Sequence, residues 1–227
     1  MPHEAPGWYG KLSSHGDFAA RRLPEPWVRA MDDWLCAAVS ASRERLGAQW
    51  QTLYLNAPVW RFAFAPGVLD AQWWFGVLMP SCDNVGRYFP LVVAQARTQP
   101  PTDRVGLDHL DAWWGQVAWA ALSTLAEGSS VEAFEAELQA APPWPGPASR
   151  RPPVAPETAS GWLRQPTPVD ATLSELVFAQ AAHGLQAQLA GMSYWWPLGT
   201  SGEGGSYTAT AGLPPPEAFT QMLEGGF

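Results

Sequence analysis

The side chains best placed to do chemistry in this sequence fall in two short blocks. The first, "SSHGDF" (13–18), sets His15 two residues from Asp17. A histidine and a carboxylate that orient each other can perform acid–base work. The second, "MPSCDNVGRYFPL" (79–91), places Ser81, Asp83, Asn84, Gly86 and Arg87 between two apolar runs. With His15 and Asp17, Asp83 would complete the polar set of a small hydrolase. The pattern lacks a nucleophile elbow and a phosphate-cradling loop, and "GEGG" (202–205) has neither the lysine nor the strand–loop–helix setting of one. The same residues also make good turns. Gly16 and Gly86 tolerate unusual dihedrals, and Asp83 and Asn84 bond their own backbone. Arg87 opens the next extended run, where an Asp83–Arg87 pair would lock the connection through charge-assisted hydrogen bonds.

Metal and cofactor chemistry find little support. His3, His109 and His183 are isolated, and two cysteines, Cys36 and Cys82, are too few for a zinc site or a disulfide framework. The expectation is no metal and no cofactor. The chain has 227 residues, is 47% hydrophobic and carries a net charge of −8, so nucleic acid and anionic membranes are poor partners. No stretch of about 18 apolar residues predicts a membrane span, and no secretory leader is visible, so the chain reads as cytoplasmic. Lys11 is the only lysine. A basic cluster of Lys11, Arg61 and Arg87 would stand out on so acidic a protein.

The elements that must position these groups are legible from periodicity. A short strand is predicted near Trp8–Lys11. Residues 24–46 repeat apolar side chains at Trp27, Met31, Trp34, Leu35, Ala38 and Val39, a helical spacing, with Pro24 and Pro26 at the start and Gly47 at the end. Four extended runs follow: 50–56, 59–65, 71–79 and 87–96. Their short connections predict antiparallel pairing. In "VWRFAFA" Trp60, Phe62 and Phe64 share one face and Arg61 lies on the other. Residues 106–128 and 130–141 return to helical spacing, the second with a Ser130 cap. The segment 142–170 is proline-rich and reads as a linker or surface loop. Beyond it are expected a helix at 171–191, a strand at 192–199, a glycine loop leading to a short strand, and a terminal helix. The organisation expected is a main domain over 1–141, the linker, and a 171–227 portion packing on the same domain, in an α/β architecture. The 14 tryptophans are read mainly as core.

Several blocks, in order, carry a family likeness: "GWYGKL…HGDF" (7–18), "WVRAMDDWL" (27–35), "SRERLG" (42–47), "YLNAPVWRF" (54–62) and "GVLMPSCDNVGRYFPL" (76–91), with "SYWW" (193–196) and "GLPPPEAF" (212–219) beyond. In these the sequence resembles the TagF family of type VI secretion accessory proteins. Ser13 stands where the family form "GKLP" has proline. The resemblance implies a three-layer α-β-α sandwich around a largely antiparallel or mixed sheet. It implies a cytoplasmic, non-enzymatic, post-translational repressor of type VI secretion. Such a protein engages the forkhead-associated scaffold protein of the apparatus, independently of the threonine kinase and phosphatase pathway. Carried over by motif, the polar positions are Lys11, Asp17, Arg61, Asp83 and Arg87. They are expected to converge at one end of the sheet, as a buried ion-pair network or as a docking surface. A structural subunit of the secretion baseplate is the alternative.

Overall fold

The helical spacing of residues 25–46 produces α1 (Glu25–Leu46), whose buried stripe is Trp27, Met31, Trp34, Leu35, Ala38, Val39 and Ser42. Proline at the start and Gly47 (φ 52°) at the end bound it, as the sequence requires. The computed structural model describes residues 4–14, 16–101, 104–143, 157–159, 162–164, 184–199 and 207–227.

Its centre is a seven-stranded, wholly antiparallel sheet. The strands are β1 (Gly7–Gly10), β2 (Ala19–Arg21), β3 (Trp60–Phe64), β4 (Trp73–Met79), β5 (Leu91–Arg97), β8 (Met192–Pro197) and β9 (Thr208–Ala211), in the order β2-β1-β5-β4-β3-β8-β9. The C-terminal strands thus extend the sheet built by the first hundred residues. Within the proline-rich segment, β6 (Glu157–Ala159) and β7 (Trp162–Arg164) pair only with each other. Residues 184–189 are helical; the rest of the helix expected over 171–191, and the "GEGG" loop, lie outside the described residues.

Helices cover both faces of the sheet, so alternate strand residues enter two different cores. Trp8, Ala63, Trp73, Phe75, Val77, Met79, Leu91 and Val93 meet α3 (Arg104–Ser123) and α4 (Val131–Gln139). Tyr9, Trp60, Phe62, Phe64, Trp74, Leu78, Val92 and Trp195 meet α1, α2 (Trp50–Asn56) and α5 (Phe219–Leu223). This explains why β4 reads as an unbroken apolar run, since all seven of its residues are buried. Gly76 sits at its middle because a Cβ there would lie 2.2 Å from the Val93 carbonyl oxygen and 2.4 Å from the Phe62 ring. Each large apolar side chain so buried contributes about 1.5–3 kcal/mol.

The tryptophans act as clips as well as filler. Among the described residues ten are buried, and the indole N–H groups of five of them tie one part of the chain to another. Trp114 of α3 donates to the Gly76 carbonyl (3.0 Å), Trp60 of β3 to Met222 of α5 (3.1 Å), Trp34 of α1 to Pro214 (2.7 Å) and Trp8 of β1 to Glu135 of α4 (2.6 Å). Glu135 also receives Arg22 at 2.7 Å, which pins α4 to the β1–β2 edge.

One element differs in kind from expectation. Residues 50–56 are not a strand but α2, entered from α1 through a 3₁₀ turn at Gly47–Gln49. Trp50 and Tyr54, four apart, are its buried residues and stack with ring centroids 4.6 Å apart. Helical spacing of two aromatics overrode the strand propensity of the composition. The run at 87–96 also starts later, at Leu91, because residues 83–89 belong to the turn described below. Ser130 caps α4 as expected, accepting from the Ala133 N–H at 3.1 Å.

Candidate functional site

Asp83 anchors the connection between β4 and β5. Its side chain is fully buried, and both oxygens are used. Oδ1 accepts the backbone N–H of Val85 (3.1 Å) and of Arg87 (2.8 Å); Oδ2 accepts Lys11 Nζ (2.8 Å) and Arg87 Nε (2.6 Å). The backbone closes the same turn, with Asp83 N–H donating to the Arg87 carbonyl and Gly86 N–H to the Asp83 carbonyl, both at 3.1 Å. Gly86 has φ 81°, the left-handed conformation that glycine adopts without strain. Burial by itself would raise the Asp83 carboxyl. The Lys11 ammonium, then the Arg87 and Val85 donors, outweigh it and hold the group well below the usual carboxylate range.

Lys11 reaches Asp83 from the end of β1. Its side chain is buried, and Nζ also sits 4.3 Å from the centroid of the Phe18 ring. Ser81 fixes the other side. Its hydroxyl donates to the Lys11 carbonyl (2.8 Å), and its backbone exchanges two hydrogen bonds with Tyr54, N–H to Oη at 3.0 Å and Oη–H to C=O at 2.9 Å. Burial pushes the Tyr54 phenol well above its ordinary range. Arg87 is the outer member, more than half exposed; it also donates to the Gly16 carbonyl and lies 3.8 Å from Asp17. Asp17 is 90% exposed, so its tie to Arg87 is loose.

The structure therefore brings together Lys11, Asp83 and Arg87, with Asp17 at the rim. Arg61 belongs elsewhere, contrary to the expected convergence of all five. It lies on the α3 face of β3, bonded to Asp111 at 2.9 Å and to the Pro197 carbonyl at 3.4 Å, with its guanidinium 5.6 Å from the Trp196 ring. The reason is register. Arg61 pairs with Val77 and Trp196, three strands from β1, on the side of the sheet where α3 supplies a carboxylate. Burial lowers the Arg61 pKa, and Asp111 partly restores it. His15 lies outside the described residues.

Tyr54 and Phe18 were not singled out in the sequence, although both touch this network. Tyr54 was hidden by reading 50–56 as extended; its place four residues after Trp50 was the available signal. Chemically, the arrangement is an ionic lock. Asp83 accepts from four donors and its basicity is depressed, so it is a poor proton acceptor at neutral pH. Among the described residues no three His, Cys, Asp or Glu side chains are grouped to hold a metal ion, and no helix is long and apolar enough to cross a membrane.

Comparison with known proteins places this lock in a family. The model of the TagF N-terminal domain, described as type VI secretion system-associated, matches residues 7–141, more than half of the chain and every member of the lock. The chain belongs to the TagF family. PA0076 from Pseudomonas aeruginosa PAO1, whose crystal structure was determined at 2.05 Å, is 38% identical in sequence, with a TM-score of 0.74. The match covers 96% of this chain and 94% of that one, so it extends well past the 7–141 span of the family model. No curated protein matches the chain. The turn at 79–91 lies within the span of that family model.

Proposed function

We propose that this TagF-family chain is a cytoplasmic, non-enzymatic repressor of type VI secretion that acts by binding the forkhead-associated scaffold protein of the apparatus. We read its helix–sheet–helix layering as the three-layer sandwich that the resemblance implies. The observation that carries the proposal is the division of labour in the 79–91 turn. The buried charges spend their hydrogen bonds on holding the backbone, while Val85, Arg87, Asp17 and Phe18 stand exposed on top of it. A rigid loop that presents an arginine between apolar side chains suits recognition of a protein surface, where aromatic and arginine residues carry much of the binding energy.

The test is a binding titration of the purified chain against the scaffold protein from the same cells, with Arg87→Glu and Arg61→Glu alongside. Circular dichroism checks that each variant is folded. Binding that Arg87→Glu abolishes and Arg61→Glu leaves intact places the contact on the turn. Binding that survives both moves the contact elsewhere on the chain. No binding by the wild type removes the scaffold-capture mechanism and leaves an assembly subunit of the baseplate as the reading to pursue.

A further inference from the structure

Arg87 is held along one edge of its guanidinium and open along the other. A guanidinium carries its N–H donors in a rigid, planar fork. On Arg87 the Nε–H is spent on Asp83 Oδ2 (2.6 Å), and one N–H of Nη2 on the Gly16 carbonyl. Nη1 has no partner among the described residues, and the side chain is 57% exposed. Asp17 lies 3.8 Å from Nη2, beyond hydrogen-bond distance, and its own side chain is 90% exposed. Both N–H groups of Nη1 and the second one of Nη2 therefore form a fork that is fixed in direction and open to solvent. Its two inner bonds have already restricted the side chain, so a ligand meets an arginine with less rotamer freedom left to lose.

The charges behind the fork select its ligand. Asp83 is bonded to both Lys11 and Arg87, so this trio carries a net positive charge, and that charge emerges at the exposed guanidinium. In the free chain Asp17 balances it from 3.8 Å. One planar fork matches one carboxylate, which accepts two parallel N–H···O bonds. Phosphate groups are read by clusters of arginines, whereas Lys11, the other cation of the trio, is buried behind Asp83. The net charge of −8 repels a free anion at a distance. The carboxylate must therefore arrive on a segment that also makes apolar contact, and Val85 (68% exposed) and Phe18 (49% exposed) offer that contact at the same rim. We infer that the fork of Arg87 takes a carboxylate of the scaffold protein, an aspartate or glutamate side chain with an apolar neighbour that packs on Val85 and Phe18. This rests on scaffold capture by the 79–91 turn and names the chemistry read there.

The test is carboxyl footprinting of the scaffold protein, alone and saturated with the full chain. A carbodiimide couples glycine ethyl ester to accessible carboxylates, and mass spectrometry reads each site. The wild type should protect an aspartate or glutamate beside an apolar residue, and Arg87→Gln should leave that site labelled. Arg87→Lys keeps the charge but not the planar fork. It should weaken the scaffold titration at least about tenfold, with an unchanged circular dichroism spectrum. Converting the protected scaffold residue to its amide should weaken binding to a similar degree. The two changes together should cost little more than either alone, the non-additivity of groups in direct contact, which a merely structural role of Arg87 would not produce. Binding that Arg87→Lys leaves within about twofold, or two changes whose effects simply multiply, overturns the carboxylate contact and leaves scaffold capture standing. Binding abolished by phosphatase treatment of the scaffold assigns the fork to a phosphate and overturns the carboxylate equally. A wild type that does not bind overturns scaffold capture and this contact with it.

Discussion

Asp83 and Asp111 each hold an arginine, at 2.6 and 2.9 Å, yet they do different work. The Asp83 side chain is fully buried and the pair is tied into backbone and lysine; the Asp111 side chain is 72% exposed and reaches Arg61 from the surface of α3. A carboxylate stripped of water must be fully bonded or it destabilises the fold, so the turn around Asp83 is over-determined. A carboxylate in water keeps its solvation whether or not the arginine is there, so the Arg61 pair decorates a position that packing already fixes. Similar distances do not mean equal consequences.

The sharpest way to break that contrast is Asp83→Ala. It leaves Lys11 buried without its counter-charge and frees the N–H groups of Val85 and Arg87. The melting temperature should fall by roughly 10 °C. Acid should reveal the same group. The folded carboxyl is held below its ordinary value, so the folded protein binds that proton less readily than the unfolded chain does. The stabilisation is complete above the unfolded carboxylate pKa and fades as pH falls below about 4. Asp83→Asn should therefore flatten part of the acid limb of a stability–pH curve. An unchanged acid limb would mean that other carboxylates govern it.

Next in size is Tyr54→Phe. The ring and its stacking on Trp50 remain, but the buried Ser81 N–H loses its partner, while the Ser81 carbonyl keeps the Phe89 N–H at 3.1 Å. Unsatisfied buried groups of this kind cost about 1–3 kcal/mol, measurable by urea denaturation at unchanged slope. A loss below the lower end would mean that water enters and replaces the hydroxyl.

These two variants also mark where the sequence stops being readable. The helices of residues 25–46 and 130–141, the strands around 60–64 and 73–79, and the alternation that puts Arg61 opposite Phe62 follow from period and composition, because burial enforces them locally. The lock was half legible. Asp83, Gly86 and Arg87 lie within five residues, so turn chemistry joins them, whereas Lys11 is 72 positions from Asp83 and meets it only because β1 adds to β5. That pairing is a long-range event that no local pattern encodes. The same topology separated Arg61 from the group it was expected to join. Strand order decides which charges can meet, and strand order is set by the whole core. Likewise residues 50–56 satisfy both strand composition and helical spacing, and the stacked pair Trp50 and Tyr54 decides for the helix.

On the weak side of the comparison, Asp111→Ala should change stability by no more than about 1 kcal/mol, the range of an exposed pair. Arg61→Met, which keeps an unbranched apolar stem but removes the guanidinium over the Trp196 ring, should behave alike. A larger loss in the arginine variant alone would show that the guanidinium contributes through the aromatic ring and the Pro197 carbonyl more than through Asp111.

The smallest effect on stability is expected at Asp17, and it is the most useful for function. Asp17 is 90% exposed and 3.8 Å from an arginine that already has Asp83 and the Gly16 carbonyl. Asp17→Ala should therefore stay within about 0.5 kcal/mol of the wild type in thermal and urea unfolding. Because the fold does not need this carboxylate, anything the variant loses is lost from a surface. If scaffold binding weakens while stability holds, the rim of the lock is read by the partner. If neither moves, the docking residues lie closer to Val85 and Arg87. If stability falls well beyond that margin, Asp17 shares in the lock, and the line between buried frame and exposed rim has to be drawn further out.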